Sequence, residues 1–232
     1  MSVGAGPLVT PDFLGARTYR VLPIPALDIR QGENFAVSGL QASYTLLRSR
    51  GLTGGANARL RFGQKESNNR VALRGLGGVG AAAEVGGFLD YGAGPWSTRL
   101  TVAQDLAGGH GGVVGDLSAS YATSLSRTAA GPVMLRAGPS LTIASKRFNT
   151  AYFGVDGSQS VRSGLAAYSP GGGVESTGVS ATVIAPLSRR VTLIALGGYS
   201  RLLAAAADSP RVQLRGSADQ VTAGLFLTYR LF

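Results

Sequence analysis

The single histidine is the residue in this sequence whose chemistry first suggests catalysis. His110 lies between glycines in the stretch GGHGG, and Ser118, Ser120, Asp105 and Asp116 are near it along the chain. A Ser/His/Asp triad needs a histidine that accepts the serine proton and a carboxylate that orients the ring. Glycine flanks position nothing rigidly, so the sequence favours a simple loop histidine. No catalytic residue is predicted.

The sequence supports neither a metal site nor a cofactor site. The chain has no cysteine and one histidine, and carboxylates such as Asp12, Asp28 and Asp208 are far apart in sequence. A metal site needs several such ligands in one cluster. GGHGG and GLGGVG (75–80) are rich in glycine, but neither follows a strand and opens a helix, as phosphate-binding loops do. We interpret both as flexible loops and predict neither cofactor nor metal.

The positive charge bears on the class of partner. The formal net charge of +10 comes almost entirely from arginine, because Lys65 and Lys146 are the only lysines. Nucleic-acid-binding surfaces collect basic residues on one helix or among stacking aromatics, and here the arginines are scattered. No nucleic-acid partner is expected. An anionic envelope component such as lipopolysaccharide or murein fits this charge better.

The segments that carry the charges alternate between apolar and polar residues. In QVTAGLFLTYRLF (220–232) the apolar residues share one face of an extended strand and Thr228 and Arg230 share the other, with Phe226 as the exception. The alternation recurs from Phe35 onward, without a segment of helical period and helical length. A membrane-spanning strand of about ten residues needs this two-residue period. A strand of a soluble sheet would show it too.

The lengths of the links separate these two possibilities. SRG, GAGP, RTAAGP and SRR are short, whereas the links between them are long or glycine-rich. Short periplasmic turns and longer outer loops are typical of outer-membrane barrels, and a soluble sandwich does not require that rhythm. No apolar run approaches the roughly 18 residues of a membrane helix. We therefore predict that residues 1–232 form one all-β domain, a transmembrane antiparallel β-barrel.

The strand number depends on two segments near the N-terminus. In YRVLPIPALDIR (19–30), Pro23 and Pro25 remove two ladder donors toward the same neighbour, so this piece is not a normal central strand. We interpret it as an edge, seam or loop-borne strand, and 35–47 as one wall strand. Bacterial single-chain barrels have an even number of strands. Ten strands are predicted, with twelve as the alternative.

Two groups of charged residues are the candidate sites. The first lies on the polar faces of the strands and is predicted to form ion pairs that fill a narrow lumen; it comprises Arg59, Arg61, Glu84, Asp90, Arg99, Asp105, Asp116 and Arg136. The second lies in the predicted periplasmic turns and comprises Arg48, Arg50, Arg127, Arg189 and Arg190.

Several motifs together resemble one family. They are YRVLPIPALDIRQGENF (19–35), GPW (94–96), QDLAGGHGGVVGDLSASY (104–121), AGPSLTIAS (137–145), TAYFGVDGSQSVRSGLAAYSPGGG (150–173) and GGYSRLLAAAADSP (197–210). On these motifs the sequence is similar to the MipA/OmpV family of outer-membrane proteins over nearly its whole length.

The resemblance implies a barrel in the outer membrane of a Gram-negative bacterium, without catalytic residues. One member of that family is a scaffold that joins a lytic transglycosylase to a murein synthase, and others are linked to adhesion, osmotic response or antibiotic entry. We therefore expect a non-enzymatic scaffold in contact with outer-membrane lipid. The alternatives are a small-solute channel and a surface adhesin or receptor. Besides the turn arginines, the loop motifs are candidate contacts: His110, Tyr152, Phe153, Gly154, Asp208, Ser209 and Pro210.

The two ends of the chain give weaker signals. MSVGAGPLVTPDF lacks the features of a secretory signal, and the strand pattern favours a signal that has been removed and replaced by a start methionine. Barrels of this type often end with aromatic or apolar residues at the last position and every second one before it. Here Thr228 and Arg230 occupy those earlier places, so Phe232 is expected to lie beyond the wall strand.

Overall fold

The computed structural model describes residues Met1–Leu231, and within them twelve antiparallel strands close into one barrel. Successive strands are neighbours, and the first pairs with the last to complete the ring. The strands are β1 (Ser2–Pro11), β2 (Tyr19–Gln31), β3 (Phe35–Ser38), β4 (Gln41–Ser49), β5 (Leu52–Arg61), β6 (Ala82–Ala93), β7 (Trp96–Asp105), β8 (Val113–Thr128), β9 (Gly131–Ala144), β10 (Gly173–Pro186), β11 (Val191–Leu202) and β12 (Asp219–Arg230). The predicted barrel is confirmed.

The prediction of ten strands is wrong, and the alternative of twelve is correct. The first reason is that the proline-containing segment forms the full wall strand β2. The second is that 35–47 is not one strand, because the chain turns at Gly39, where φ is +57°. Glycine adopts this conformation without a steric penalty. The turn creates the short hairpin of β3 and β4.

The two faces of each strand differ as the alternation requires. Along β5, Ala58 and Leu60 are exposed on the outside, whereas Asn57 is buried on the inside. Phe226, the exception in the terminal strand, is buried in the lumen. Trp96 and Tyr121 stack edge to face on the outside at the periplasmic end, with ring centroids 4.8 Å apart. Aromatic residues at this level are typical of the girdle at a membrane interface.

Short turns lie at the periplasmic end, and the outer end carries longer segments that fold over the lumen. These contain a 3₁₀ turn (Glu66–Asn68) and the helices α1 (Lys146–Phe153), α2 (Gly157–Ser163), α3 (Ala204–Ala207) and α4 (Pro210–Arg215). The segment 146–173, which a reading of the strand alternation alone treats as irregular, therefore contains two helices. Among the described residues, no helix has the length and apolar character needed to cross a membrane. Phe232, whose position was predicted from the terminal pattern, lies outside the described residues.

The wall is incomplete beside β2. From Tyr19 to Asp28 this strand pairs with β1, but on its other side it pairs with β3 only from Asp28 to Gln31. The tip of the β3–β4 hairpin adds one bond, in which Gly39 N–H donates to the Leu27 carbonyl at 2.8 Å. No backbone hydrogen bond within Met1–Leu231 joins 19–26 to the side away from β1. The outer part of β2 is thus an unpaired edge.

Candidate functional site in the barrel lumen

Glu84 is the centre of the charged groups in the lumen. Its side chain, on β6, is fully buried and accepts hydrogen bonds from three donors. Arg61 Nε donates to Oε1 at 2.6 Å, and Arg59 Nε donates to Oε2. His110 Nε2 lies 2.8 Å from Oε1. Burial of a carboxylate is costly unless it is paired and hydrogen-bonded, and here two guanidinium groups and an imidazole provide that pairing.

The proton on His110 can be assigned from its neighbours. Gly112 N–H donates to Nδ1 at 3.1 Å, so Nδ1 is an acceptor and the neutral ring carries its proton on Nε2. Nε2 therefore donates to Glu84. The ring also packs edge to face on Phe148, with centroids 4.8 Å apart. Neither ring nitrogen is directed at a serine, and Ser118 and Ser120 line a separate cavity nearer the periplasm.

The loop that holds His110 is ordered by Asp105, at the end of β7. Its carboxylate accepts from three backbone N–H groups, those of Ala107 (2.9 Å), His110 (2.7 Å) and Gly111 (2.8 Å). At Gly112 a Cβ atom would lie 2.5 Å from the backbone nitrogen of Phe148, so this position admits only glycine without a shift of α1. His110 is 6% exposed. The interpretation of GGHGG as a flexible loop is wrong.

Asp116, on β8, extends the same network across the barrel. It accepts from Arg59 Nη1 at 2.6 Å and from the Thr142 hydroxyl at 2.9 Å. Side chains from β5, β6, β8 and β9 are therefore joined through charge-assisted hydrogen bonds, which are stronger than neutral ones. We call this set the outer charged layer, and its members are Arg59, Arg61, Glu84, Asp105, His110 and Asp116.

The other predicted lumen residues form a looser group closer to the periplasm. Asp90 and Arg99 are 3.5 Å apart and both partly exposed. Arg136 lines the same cavity, and the Arg99 guanidinium lies over the ring of Phe88 at 5.0 Å. We call Asp90, Arg99 and Arg136 the periplasmic charged group. The structure thus divides the eight predicted lumen residues into two levels.

A cavity lies on each side of the outer charged layer. The one on the periplasmic side has a volume of ≈ 460 Å³ and is lined by the periplasmic charged group and by serine and threonine. The one on the outer side has a volume of ≈ 400 Å³ and is lined by Arg61, Asp116, Phe148 and Tyr152, among others. We call them the periplasmic cavity and the outer cavity.

The helical cap above the outer cavity is built from the loop motifs. Phe153 is buried at the end of α1, and its carbonyl accepts from the hydroxyl of Ser209 at 2.6 Å. The motifs YFG and DSP are thereby brought into contact, with Gly154 ending α1 and Pro210 starting α4.

Burial raises the pKa of the Tyr152 phenol. Burial also lowers the pKa of Arg211, in α4, to about 10, so its guanidinium stays charged at neutral pH.

The five turn arginines are exposed at the periplasmic end. Arg48 pairs with Glu33 at 3.1 Å, and Arg190 donates to the Tyr229 hydroxyl at 3.0 Å. Arg50 has φ of +44° in its tight turn. Arg127 and Arg189 extend the same basic rim. The structure places these residues on one end of the molecule, separate from the lumen groups.

Several polar residues that are buried or face the lumen were not predicted, among them Glu175, Gln220 and Arg20. Glu175, 4% exposed, enters the lumen beside Ser176 at a register shift in β10. Gln220 bonds the backbone of the β1–β2 loop through Gly15 N and Ala16 O. Arg20 faces the outer cavity. The position of Arg20 on the face opposite Tyr19 and Val21 was a usable signal, but Glu175 reaches the lumen only because the register shifts.

Among residues 1–231, no group of three or more potential metal ligands is close enough to hold an ion.

A closed antiparallel barrel with an apolar exterior and a charged, partly filled interior defines the class of outer-membrane β-barrel proteins. The chain belongs to the MipA family, whose model, described as MltA-interacting protein MipA, matches residues 3–231. The resemblance inferred from the motifs is confirmed.

Curated relatives and one solved structure agree with this class. The putative outer membrane protein YiaT of Escherichia coli K12 is 31% identical over 128 residues, which are 55% of this chain and 50% of YiaT. YiaT of E. coli O157:H7 matches equally. The alignment thus spans about half the length of these relatives. The NanC porin has a TM-score of 0.51 at 9% identity over 99% of each chain, a likeness of fold alone. An outer-membrane location is indicated.

Proposed function

We propose that this protein is a non-enzymatic outer-membrane barrel that binds and positions proteins of murein maintenance, such as a lytic transglycosylase and a murein synthase. The observation that carries the proposal is the outer charged layer, which joins side chains of β5, β6, β8 and β9 inside the lumen beneath the helical cap. A lumen occupied in this way leaves the surface of the barrel as its working part. The family description, MltA-interacting protein, supports a partner-binding role.

The periplasmic rim is the surface that murein enzymes can reach. It carries the five exposed turn arginines, of which Arg48 alone is paired with a carboxylate among the described residues. A single exposed ion pair contributes only about 0 to 1 kcal/mol. Binding through this rim therefore requires several arginines acting together on an acidic partner surface. Such binding also weakens as salt screens the charges.

The experiment replaces all five turn arginines with serine and measures capture of a purified murein hydrolase or synthase by the barrel. The matched control removes five positive charges from exposed outer loops: Lys65, Arg70, Arg74, Arg147 and Arg162. We expect capture to fall at least tenfold at low salt in the rim variant and to remain unchanged in the control. Equal capture by wild type and the rim variant would remove the rim from the proposal.

A small-solute channel is the second candidate, because a single layer of side chains separates the two cavities. Conductance across a planar bilayer distinguishes the two functions. The filled lumen predicts no stable conductance for the wild type, whereas a channel requires it. A wild-type protein that conducts while failing to capture any murein enzyme would reverse the order of the two proposals.

A further inference from the structure

The unpaired edge of β2 borders an opening in the barrel wall. On one side lies β2 from Tyr19 to Ala26, and on the other the end of β5 with Phe62 and Gly63. The tip of the β3–β4 hairpin closes the opening below, where Leu60 N–H donates to the Leu40 carbonyl at 3.0 Å. Above it, Asn69 Nδ2 bridges to the β1–β2 loop through the Thr18 hydroxyl at 2.9 Å. We call this opening the lateral window.

Two prolines keep the β2 edge of the window from pairing. Pro23 lies opposite Pro7 of β1, and Pro25 lies opposite Ala5. Pro7 and Pro23 both lack a backbone N–H, so they cannot form a hydrogen-bonded pair of the β1–β2 ladder. Because hydrogen-bonded and non-hydrogen-bonded pairs alternate along the strand, Pro25 is also at a non-hydrogen-bonded position. The backbone nitrogens of Pro23 and Pro25 therefore face the window, and neither carries a hydrogen to donate. An edge that lacks two donors is a poor template for an added strand, which disfavours another chain as the occupant.

The window leads into the outer cavity. Residues from both of its sides line that cavity, Arg20 and Leu22 from β2 and Arg61, Phe62 and Gly63 from the end of β5. Behind them the cavity reaches Phe148 of the cap. The outer charged layer forms its floor through Arg61 and Asp116. The cavity therefore lies above the outer charged layer, with the lateral window on one side.

The cavity has apolar and polar walls and one unmatched cation. Its carboxylates are Asp12, Asp116 and Glu175, each of which already accepts a hydrogen bond within the protein. Leu8, Leu22, Phe62 and Phe148 supply apolar and aromatic contacts. Arg20 has a buried Nε without a hydrogen-bond partner, and among residues 1–231 it forms no ion pair. A buried polar group without a partner is costly. A carboxylate on a ligand supplies that partner, because guanidinium and carboxylate match in charge and geometry.

The window opens at the level of the outer membrane interface. Tyr19, at the outer end of β2, and Phe62, one residue past the outer end of β5, are exposed on its two sides. Interfacial aromatics mark the boundary between hydrocarbon and head groups. A molecule dissolved in the outer leaflet with its polar head at this boundary is at the height of Arg20.

From the unpaired edge, the cavity behind it and the free guanidinium, we infer that the outer cavity binds a small single-chain amphiphile with a carboxylate head, which enters sideways from the membrane through the lateral window. Arg20 pairs with the carboxylate, and the apolar chain lies against Leu22 and Phe148. Binding of the amphiphile in the outer cavity does not involve the periplasmic rim. Its test is therefore independent of the test of the scaffolding function.

The binding test uses decanoic acid with a diazirine at its terminal carbon, added to the barrel in lipid nanodiscs and photolysed. Mass spectrometry then locates the labelled residues. We expect saturable labelling in the outer cavity that falls at least tenfold in Arg20→Gln and stays unchanged in Arg99→Gln, the same substitution in the periplasmic cavity. Labelling spread over the lipid-facing residues alone, or equal loss in both variants, would overturn the inference. Loss of labelling when lipopolysaccharide is added to the discs would assign the cavity to a membrane lipid instead.

The route is tested with single cysteines, which the chain otherwise lacks. Leu22→Cys lies at the window and Ser180→Cys lines the periplasmic cavity. A lipid-dissolved alkyl maleimide is expected to react at least tenfold faster with the first, and a charged water-soluble maleimide faster with the second. If Leu22→Cys reacts only with the water-soluble reagent, the cavity opens to water and the lateral route is wrong. Heat-modifiable gel mobility verifies that each variant is folded.

Discussion

The two charged levels of the lumen use the same side-chain types in opposite ways. In the outer charged layer, Glu84 is fully buried and bonded by Arg59, Arg61 and His110. In the periplasmic charged group, Asp90 and Arg99 are 3.5 Å apart, with 35% and 41% of their side chains exposed. Water can replace a lost partner in the second group but not in the first. Burial, rather than the number of charges, therefore decides which level stabilises the barrel.

The largest expected effect is that of Glu84→Gln. The substitution removes the carboxylate that pairs with Arg61 and one of the two that pair with Arg59, and loss of one partner of a buried pair costs about 3 to 5 kcal/mol. Asp90→Asn, the matched change in the periplasmic group, is expected to cost about 0 to 1 kcal/mol, as exposed pairs do. Guanidinium unfolding in lipid vesicles measures both. Similar losses of unfolding free energy would mean that the two levels do not differ.

The second prediction tests the assignment of inner and outer faces on β9. Leu135→Arg places a charge on the lipid side and is expected to destabilise the barrel by about 2 to 4 kcal/mol if it lies near the bilayer midplane. Arg136→Leu changes an exposed lumen residue and is expected to affect the periplasmic cavity more than stability. The same vesicle unfolding measurement compares them. An equal cost for both would contradict the facing of this strand.

The third prediction concerns the packing between the His110 loop and α1. A methyl group at Gly112 overlaps the backbone of Phe148, and overpacking of this kind costs about 1 to 3 kcal/mol. Gly112→Ala is therefore expected to loosen the cap and speed amide exchange in α1. Gly157→Ala is the control, because its Cβ would meet no atom within 4 Å. Protection of α1 that survives Gly112→Ala would show that the loop and helix are not tightly coupled.

The smallest expected effect is the pH response of α2. Hydrogen bonds from the Gln159 backbone and the Ser158 hydroxyl lower the pKa of Asp156, which caps this helix. Since the folded-state pKa is depressed, the cap stabilises α2 above the usual aspartate range and is lost as the pH falls through the folded value. Protection of the α2 amides, measured relative to intrinsic exchange at each pH, should fall at low pH in the wild type but not in Asp156→Asn, which keeps an acceptor. Exchange in α3 serves as the internal control.

The sequence indicated well on which face of the barrel wall each strand residue lies, but poorly which side chains contact one another. Arg59 and Arg61 alternate with Ala58 and Leu60, and a period of two fixes on which side each lies. One partner of Arg59, by contrast, is Asp116, three strands away, and the stagger between strands decides that pairing. One of the two errors in the strand count arose at Gly39, because a single glycine turn left the surrounding alternation intact. No local pattern distinguished a turn there from a glycine within a strand.

Two structural features of the outer end correspond to short patterns in the sequence. Asp105 stands two residues before Ala107, the spacing at which an aspartate side chain bonds a following backbone N–H and shapes a turn. Phe148 and Tyr152 are four residues apart, as one face of a helix requires. Both signals are short, and the glycines around them favour a loop. The burial of His110 depends on both features together, which explains why the sequence indicated only a simple loop histidine.

The unpaired edge of β2 also determines how the barrel responds to force. Around the periplasmic half, backbone hydrogen bonds form a continuous ring, so a change in diameter must break them. Around the outer half, the ring is interrupted between β2 and β5, and the gap is spanned by side-chain bonds such as those of Asn69. Buried packing of Phe13 and Ala16 against Leu73 and Leu76 also holds the two sides of the gap together. The circumference of the outer half therefore depends on side-chain packing, whereas that of the periplasmic half depends on backbone hydrogen bonds.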